Sequence, residues 1–270
     1  MTEKTLLYDC YDKHIVALTF NRPQSLNALD LLTMQEFASA IDEVTNDDDC
    51  RVLILTGAGE RAFSSGGDLN ELADKNSEAD ALNFITIMGD ALLKMERLPI
   101  PVIAAINGYA LGGGGEIALA CDMRIVDEKV RLGMVQMRMG VTPGWGAGQR
   151  LMRLIGYSRT MRILLRSHVM HAPEIENLGL AINVVEEGTA FEHALIFARH
   201  IAQSPSETVR GVKQLLQAGL NHSYEDALAI EREIFPPLWA GDAHKDAVKT
   251  FLERQREYEQ KKLDAEQLES

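Results

Sequence analysis

Two glycine-containing segments carry the residue types that could do chemistry. One is Ala62-Phe63-Ser64-Ser65-Gly66-Gly67-Asp68-Leu69; the other is Ala105-Ile106-Asn107-Gly108-Tyr109-Ala110-Leu111-Gly112-Gly113-Gly114-Gly115-Glu116. Each follows a short apolar stretch, and the second opens a helical pattern. A glycine run at a helix N-terminus leaves backbone N–H groups without intrahelical partners, and the helix dipole adds positive potential there. Such a cradle suits a phosphate or the oxyanion of an acyl-transfer or enolate intermediate. The same glycines would also let a helix pack close against a sheet. Gly113-x-Gly115-x-x-Ala118 formally fits a dinucleotide fingerprint. The context fails it: Glu116 would face the pyrophosphate, the helix before Asp122 is too short, and only Asp127 and Glu128 approach the expected acidic position. No G-x-x-x-x-G-K-[ST] phosphate loop occurs. Ser64 and Ser65 lack the G-x-S-x-G elbow, which argues against serine hydrolysis. His168 and His171 sit three apart with no third ligand evident, so they read as ordinary polar residues rather than a metal site. Met134, Met137 and Met139 read as pocket lining or core.

The elements around these segments alternate between strand and helix. Leu6–Cys10 and His14–Phe20 read as a hairpin across Tyr11-Asp12-Lys13. Leu26–Val44 has near-helical apolar spacing, Arg51–Thr56 is a short buried strand, and a helix runs from about Ala81 to a stop before Pro99. The pattern then repeats: strand Pro101–Ile106, turn Gly112–Gly115, helix Glu116–Cys121, strand Asp122–Val126. This alternation predicts an α/β layer architecture with mainly parallel strands. From Phe191 onward the strand signal vanishes. Helices are expected at Thr189–Gln203, Ser206–Leu220, Tyr224–Phe235 and Asp242–Gln260, with Thr189, Ser206, Ser223 and Asp242 as N-caps.

Composition narrows the classes. The 270 residues include 27 Lys and Arg against 40 Asp and Glu, a net charge of −13, which leaves no electrostatic footprint for nucleic acid or an anionic membrane. Hydrophobic residues at 46% and unremarkable Gly and Pro exclude disordered and collagen-like classes. Cys10, Cys50 and Cys121 form no C-x-x-C pair, which fits a reducing compartment. Residues Met1–Asp9 do not read as a targeting peptide, and the apolar run Ile100–Leu111 is too short to span a bilayer. The expectation is a cytoplasmic protein, or a matrix one if eukaryotic.

Several separated motifs, taken together, resemble the crotonase (enoyl-CoA hydratase/isomerase) superfamily. They are the two glycine segments, Asn21-Arg22-Pro23 with Leu26-Asn27-Ala28-Leu29, Cys121-Asp122, Met139-Gly140-Val141-Thr142-Pro143-Gly144, Gln149-Arg150-Leu151, and Ala247 with Phe251-Leu252. The resemblance implies a spiral of ββα units over residues 1–200, carrying an acyl-CoA site, and a helical oligomerisation region over 201–270 that builds a homotrimer or homohexamer. The ligand implied is an acyl-CoA thioester, with coenzyme A as part of the substrate and no separate cofactor or metal. Carried over residue by residue, Ser65 and Gly113 supply the oxyanion-hole N–H groups. Ser65, Gly66, Gly67 and Asp68 contact the acyl-CoA, and Phe251 and Arg254 cover or pair with CoA.

The resemblance also bears on the reaction. Glu116 occupies the first of two positions where hydratases carry glutamates; the second is Gln136, whose amide cannot exchange a proton near neutral pH. Trp145 stands where hydratases have a small residue, and its bulk would shorten the acyl pocket. Met137–Arg150, with Glu231-Arg232-Glu233 and Trp239-x-Gly241, resembles the methylmalonyl/ethylmalonyl-CoA decarboxylase branch. The favoured expectation is a lyase that decarboxylates a short malonyl-type acyl-CoA, with Glu116 reprotonating the enolate. Enoyl-CoA hydration or isomerisation is the alternative, and a non-catalytic acyl-CoA-binding relative the third.

Overall fold

The computed structural model describes residues 4–268. Two compact units divide at Gln203 and Ser204. The first opens with the hairpin β1 (Leu6–Tyr11) and β2 (Ile15–Phe20), then a 3₁₀ turn at Pro23–Ser25 and helix α1 (Leu31–Thr45). The helix expected from Leu26 starts five residues later. Leu26 and Asn27 hold φ of +54°, and the Asp30 carboxylate accepts from the Thr33 N–H at 2.8 Å, fixing the helix start there.

Three ββα turns follow. They run β3 (Val52–Gly57), β4 (Ala62–Ser64), α2 (Leu69–Leu72) and α3 (Glu78–Glu96); then β5 (Val102–Ile106), β6 (Tyr109–Leu111) and α4 (Gly113–Ala120); then β7 (Met123–Asp127), β8 (Arg131–Gly133), α5 (Ala147–Ile155) and α6 (Tyr157–Leu165). The unit closes with β9 (Val169–His171), α7 (Ala172–Asn177), β10 (Asn183–Val185) and α8 (Ala190–Ala202). In each turn the first strand joins a six-stranded sheet, β1-β2-β3-β5-β7-β10, and the second joins a four-stranded sheet, β4-β6-β8-β9. Among the described residues β1 pairs antiparallel with β2 and β9 with β8, and the other strand pairs are parallel. The chain therefore spirals, adding a strand to each sheet per turn.

The central strands β2, β3 and β5 are covered on both faces, so they read as nearly continuous apolar runs. Val16, Leu18 and Phe20 face the main core with Leu53, Leu55 and Ile106. Their alternates Ile15, Ala17, Val52, Ile54, Ile103 and Ala105 face Ala190, Ala194 and Ala198 of α8. Small residues four apart let α8 lie close to the sheet. Its N-terminus is capped from a distance: the Asp127 carboxylate accepts from the N–H groups of Gly188 (2.9 Å) and Ala190 (2.8 Å), while the expected cap, Thr189, makes no side-chain cap bond.

Beneath α4, Arg124 is 4% exposed, and its guanidinium donates to the carbonyls of Ala118 (3.2 Å), Cys121 (2.7 Å) and Leu180. A cation at the negative end of the helix dipole satisfies α4's last carbonyls. The other end of α4 bears on function.

The second unit is helical: α9 (Ser206–Asn221), α10 (Tyr224–Ala240) and α11 (Asp242–Leu268). Ser223 caps α10 as expected; Ser206 is the first helical residue, with Pro205 before it. α10 continues through Pro236 and Pro237 rather than ending near Phe235. No helix among the described residues is long and apolar enough to cross a membrane.

Candidate active site

Strands β4 and β6 are parallel neighbours, so the loops leaving their C-terminal ends emerge side by side. Both loops are glycine-built for the same reason, close backbone approach. Gly66 has φ +95°, and a Cβ on it would lie 2.8 Å from the Gly113 nitrogen. A Cβ on Gly114 would meet the Ser64 carbonyl oxygen at 2.0 Å. The glycines expected as a turn at 112–115 instead form the first turn of α4. The run thus packs the helix against the sheet and also leaves the Gly113 N–H, at the helix's first position, without an intrahelical acceptor.

The second donor is not the one expected. The Ser65 N–H donates to the Leu26 carbonyl at 3.0 Å, so Ser65 is committed to the fold. The Gly66 N–H donates to Ser64 Oγ at 3.2 Å, and that hydroxyl donates to the Asn27 carbonyl at 2.8 Å. Gly67 differs. Its bridge to Leu29 uses the Gly66 carbonyl and the Asp68 N–H, which turns the Gly67 N–H to the opposite side, where it meets no acceptor among the described residues. The paired open donors are therefore Gly67 and Gly113.

Asp68 also takes a different place from the one expected. It is 8% exposed; Oδ2 accepts from Arg22 Nη1 at 2.8 Å and Oδ1 from the Asn70 N–H at 3.1 Å, capping α2. This carboxylate ties the β4 loop to Arg22, which also donates to the Ala28 carbonyl and pairs with Asp30. Its side chain is committed to an internal ion pair and a helix cap.

Glu116, one turn into α4, is 2% exposed. Its Oε1 accepts from Gln136 Nε2 at 2.9 Å and the Gly144 N–H at 3.2 Å; its Oε2 accepts from the N–H groups of Trp145 at 2.8 Å and Ala147 at 3.0 Å. A carboxylate offers about four lone-pair directions, and all four are taken. Burial pushes the Glu116 carboxyl above its ordinary range, against the pull of these four donors. Gln136 thus sits against Glu116 as a donor, and its own Oε1 is buried without a partner.

The Trp145 backbone is held at both ends. Glu116 takes its N–H, Arg150 Nη1 donates to its carbonyl, and Glu96 holds Arg150 through Nη2 at 2.8 Å. The indole, 7% exposed, lies on Gly113: a Cβ there would come within 2.1 Å of Trp145 Cζ3. Phe251 and Arg254 lie one turn apart on α11 in the second unit, both exposed. Among the described residues no cluster of three or more His, Cys, Asp or Glu is arranged for a metal.

Sequence reasoning missed the roles of Gly67 as a donor, of Gly144 and Ala147 as partners of Glu116, and of the Glu96–Arg150 brace. Asn27 had a signal, since an asparagine beside the 3₁₀ turn suits left-handed backbone. Its amide bridges Arg22, Ala58 and Ala62.

Two open N–H donors from successive turns of the spiral, converging beside a buried carboxylate, place the chain in a class. The profile of the Enoyl-CoA hydratase/isomerase family matches residues 11–261. The chain belongs to that family, the crotonase superfamily of acyl-CoA enzymes. Among curated relatives it is 36% identical to the short-chain-enoyl-CoA hydratase of Clostridium acetobutylicum, covering 90% of this chain and 92% of that one. It is 33% identical to the ethylmalonyl-CoA decarboxylase of Gallus gallus, over 86% and 78% of the two chains. Among solved structures, the enoyl-CoA hydratase of Bacillus anthracis matches with a TM-score of 0.88 at 33% identity, over 93% and 96% of the chains.

Proposed function

We propose that this enzyme decarboxylates a short malonyl-type acyl-CoA. One observation carries the reading: the carboxylate beside the paired donors has no open lone pair, and its neighbour Gln136 is an amide. Hydration needs a base to orient and deprotonate water, and Glu116 cannot take up water without surrendering one of four hydrogen bonds. Decarboxylation needs no base. The bond to the substrate carboxylate breaks, CO₂ leaves, and the electron pair moves onto the thioester oxygen. The N–H groups of Gly67 and Gly113 receive that oxyanion, the interaction that strengthens as charge develops. A proton from water then quenches the α-carbon. Coenzyme A enters as part of the substrate, and no separate cofactor takes part.

Hydration is the second reading. It is favoured by the hydratase name and slightly higher identity of the Clostridium acetobutylicum relative. Mass spectrometry of wild-type enzyme incubated with methylmalonyl-, ethylmalonyl-, 3-enoyl- and crotonyl-CoA separates the two. The decarboxylase reading expects loss of CO₂ from a malonyl-type thioester and slow water addition to crotonyl-CoA. Rapid hydration with no CO₂ loss from either malonyl-type thioester would overturn it.

A further inference from the structure

We infer that Glu116 acts as a positioning residue whose work is to hold Trp145 over Gly113, and that the clamped indole is the stop that limits the acyl chain. The inference rests on the acyl-thioester reading above. Three of the four groups that Glu116 accepts from are backbone N–H groups of one loop, at Gly144, Trp145 and Ala147. A carboxylate placed to carry protons would keep an oxygen open toward the substrate. Here both oxygens are filled by the loop and by Gln136. The Trp145 peptide is gripped at both ends, its N–H by Glu116 and its carbonyl by Arg150, which Glu96 braces in turn. A peptide held at both ends leaves the indole little freedom, and its six-membered ring fills the space over the Gly113 Cα. Gly113 supplies one of the two open donors, so an acyl group whose carbonyl sits there meets the ring a few carbons further on.

The test is the binding of saturated acyl-CoA thioesters, acetyl through octanoyl, by titration calorimetry. These compounds bring neither a double bond nor a carboxylate, so the reaction does not enter. Wild type should bind short chains and lose affinity beyond a sharp length. Trp145→Ala should remove the limit, each accommodated methylene then gaining about fourfold in affinity. Glu116→Gln puts an NH₂ group against two N–H donors and should relax the limit in the same direction, with no further shift in the double variant. Glu116→Asp keeps the charge but falls short of the loop by one methylene, so it should behave like Glu116→Gln; it serves if that variant folds poorly. In a Trp239→Phe background the remaining tryptophan is Trp145. Its emission should move to the red when Glu116 is changed. A Glu116→Gln or Glu116→Asp enzyme with the wild-type length profile and unshifted emission would overturn the inference. Wild type binding every length equally would overturn it as well, while leaving the acyl-CoA reading intact. Wild type binding none of the thioesters would remove both.

Discussion

Replacing Gly67 by proline tests the reassigned donor with little interference from folding. The Gly67 N–H has no protein acceptor among the described residues, so proline there deletes a group that the fold does not use. A Cβ at this position meets only Leu72 Cδ1, at 2.9 Å, the far end of a flexible side chain. Its backbone lies outside the left-handed region, and the preceding Gly66 already holds φ +95°. Gly67→Ala keeps the N–H and is the control for the added bulk. Loss of one oxyanion donor is worth about 2.7–4 kcal/mol, so Gly67→Pro should lower kcat by ~10²–10³-fold while Gly67→Ala stays within about tenfold of wild type. Denaturant midpoints should stay close for both. Ser65→Pro should do the reverse of Gly67→Pro: it removes the bond to the Leu26 carbonyl and lowers stability by about 1–3 kcal/mol. A folded Gly67→Pro enzyme with near wild-type kcat would refute the donor assignment. Gly113 offers no equally clean test, because any side chain there strikes Trp145.

That collision makes its own prediction. Gly113→Ala should destabilise wild type by about 1–3 kcal/mol through overpacking. In a Trp145→Ala background the same change should be neutral or stabilising, and additive effects in denaturant titrations would contradict the contact. Gln136→Glu brings two carboxyl groups to the 2.9 Å separation now held by a hydrogen bond, and they can stay there only by sharing a proton. The folded pair then titrates above the ordinary carboxylate range and binds more protons than the unfolded chain. The variant's stability relative to wild type should therefore fall as pH rises from about 4 through that raised value, read as the midpoint difference across a pH series. Arg124→Met strands the carbonyls of Ala118, Cys121 and Leu180, and should destabilise by at least ~3 kcal/mol at about 1–3 kcal/mol per buried group.

The regular parts of this molecule were legible because their signals are local. Apolar runs mark β2, β3, β5 and β7, and glycine punctuation marks where β6 turns into α4. The second sheet left almost no trace: β4, β6, β8 and β9 have three residues each, too few for an alternating pattern to show. The paired glycine segments pointed to an oxyanion cradle, and the two loops do converge. Which N–H is open was not legible. It depends on a non-local bridge, Leu29 with Gly67, and on the Leu26 carbonyl claiming Ser65. Glu116 was visible as a carboxylate, but its saturation comes from backbone N–H groups 28 to 31 positions away, which carry no side-chain signature. The ion pair of Asp68 was not legible either, because its partner Arg22 lies 46 residues upstream.

The enolate is expected to arise by loss of CO₂. Wild-type enzyme incubated in D₂O with ethylmalonyl-CoA labelled with ¹³C at the free carboxyl, and separately with crotonyl-CoA, addresses this by NMR. The label should leave the thioester and appear as bicarbonate, one deuterium should enter at the α-carbon of the product, and crotonyl-CoA should remain largely unhydrated over the same period. Label retained in the thioester while crotonyl-CoA is converted to its 3-hydroxy product would contradict it.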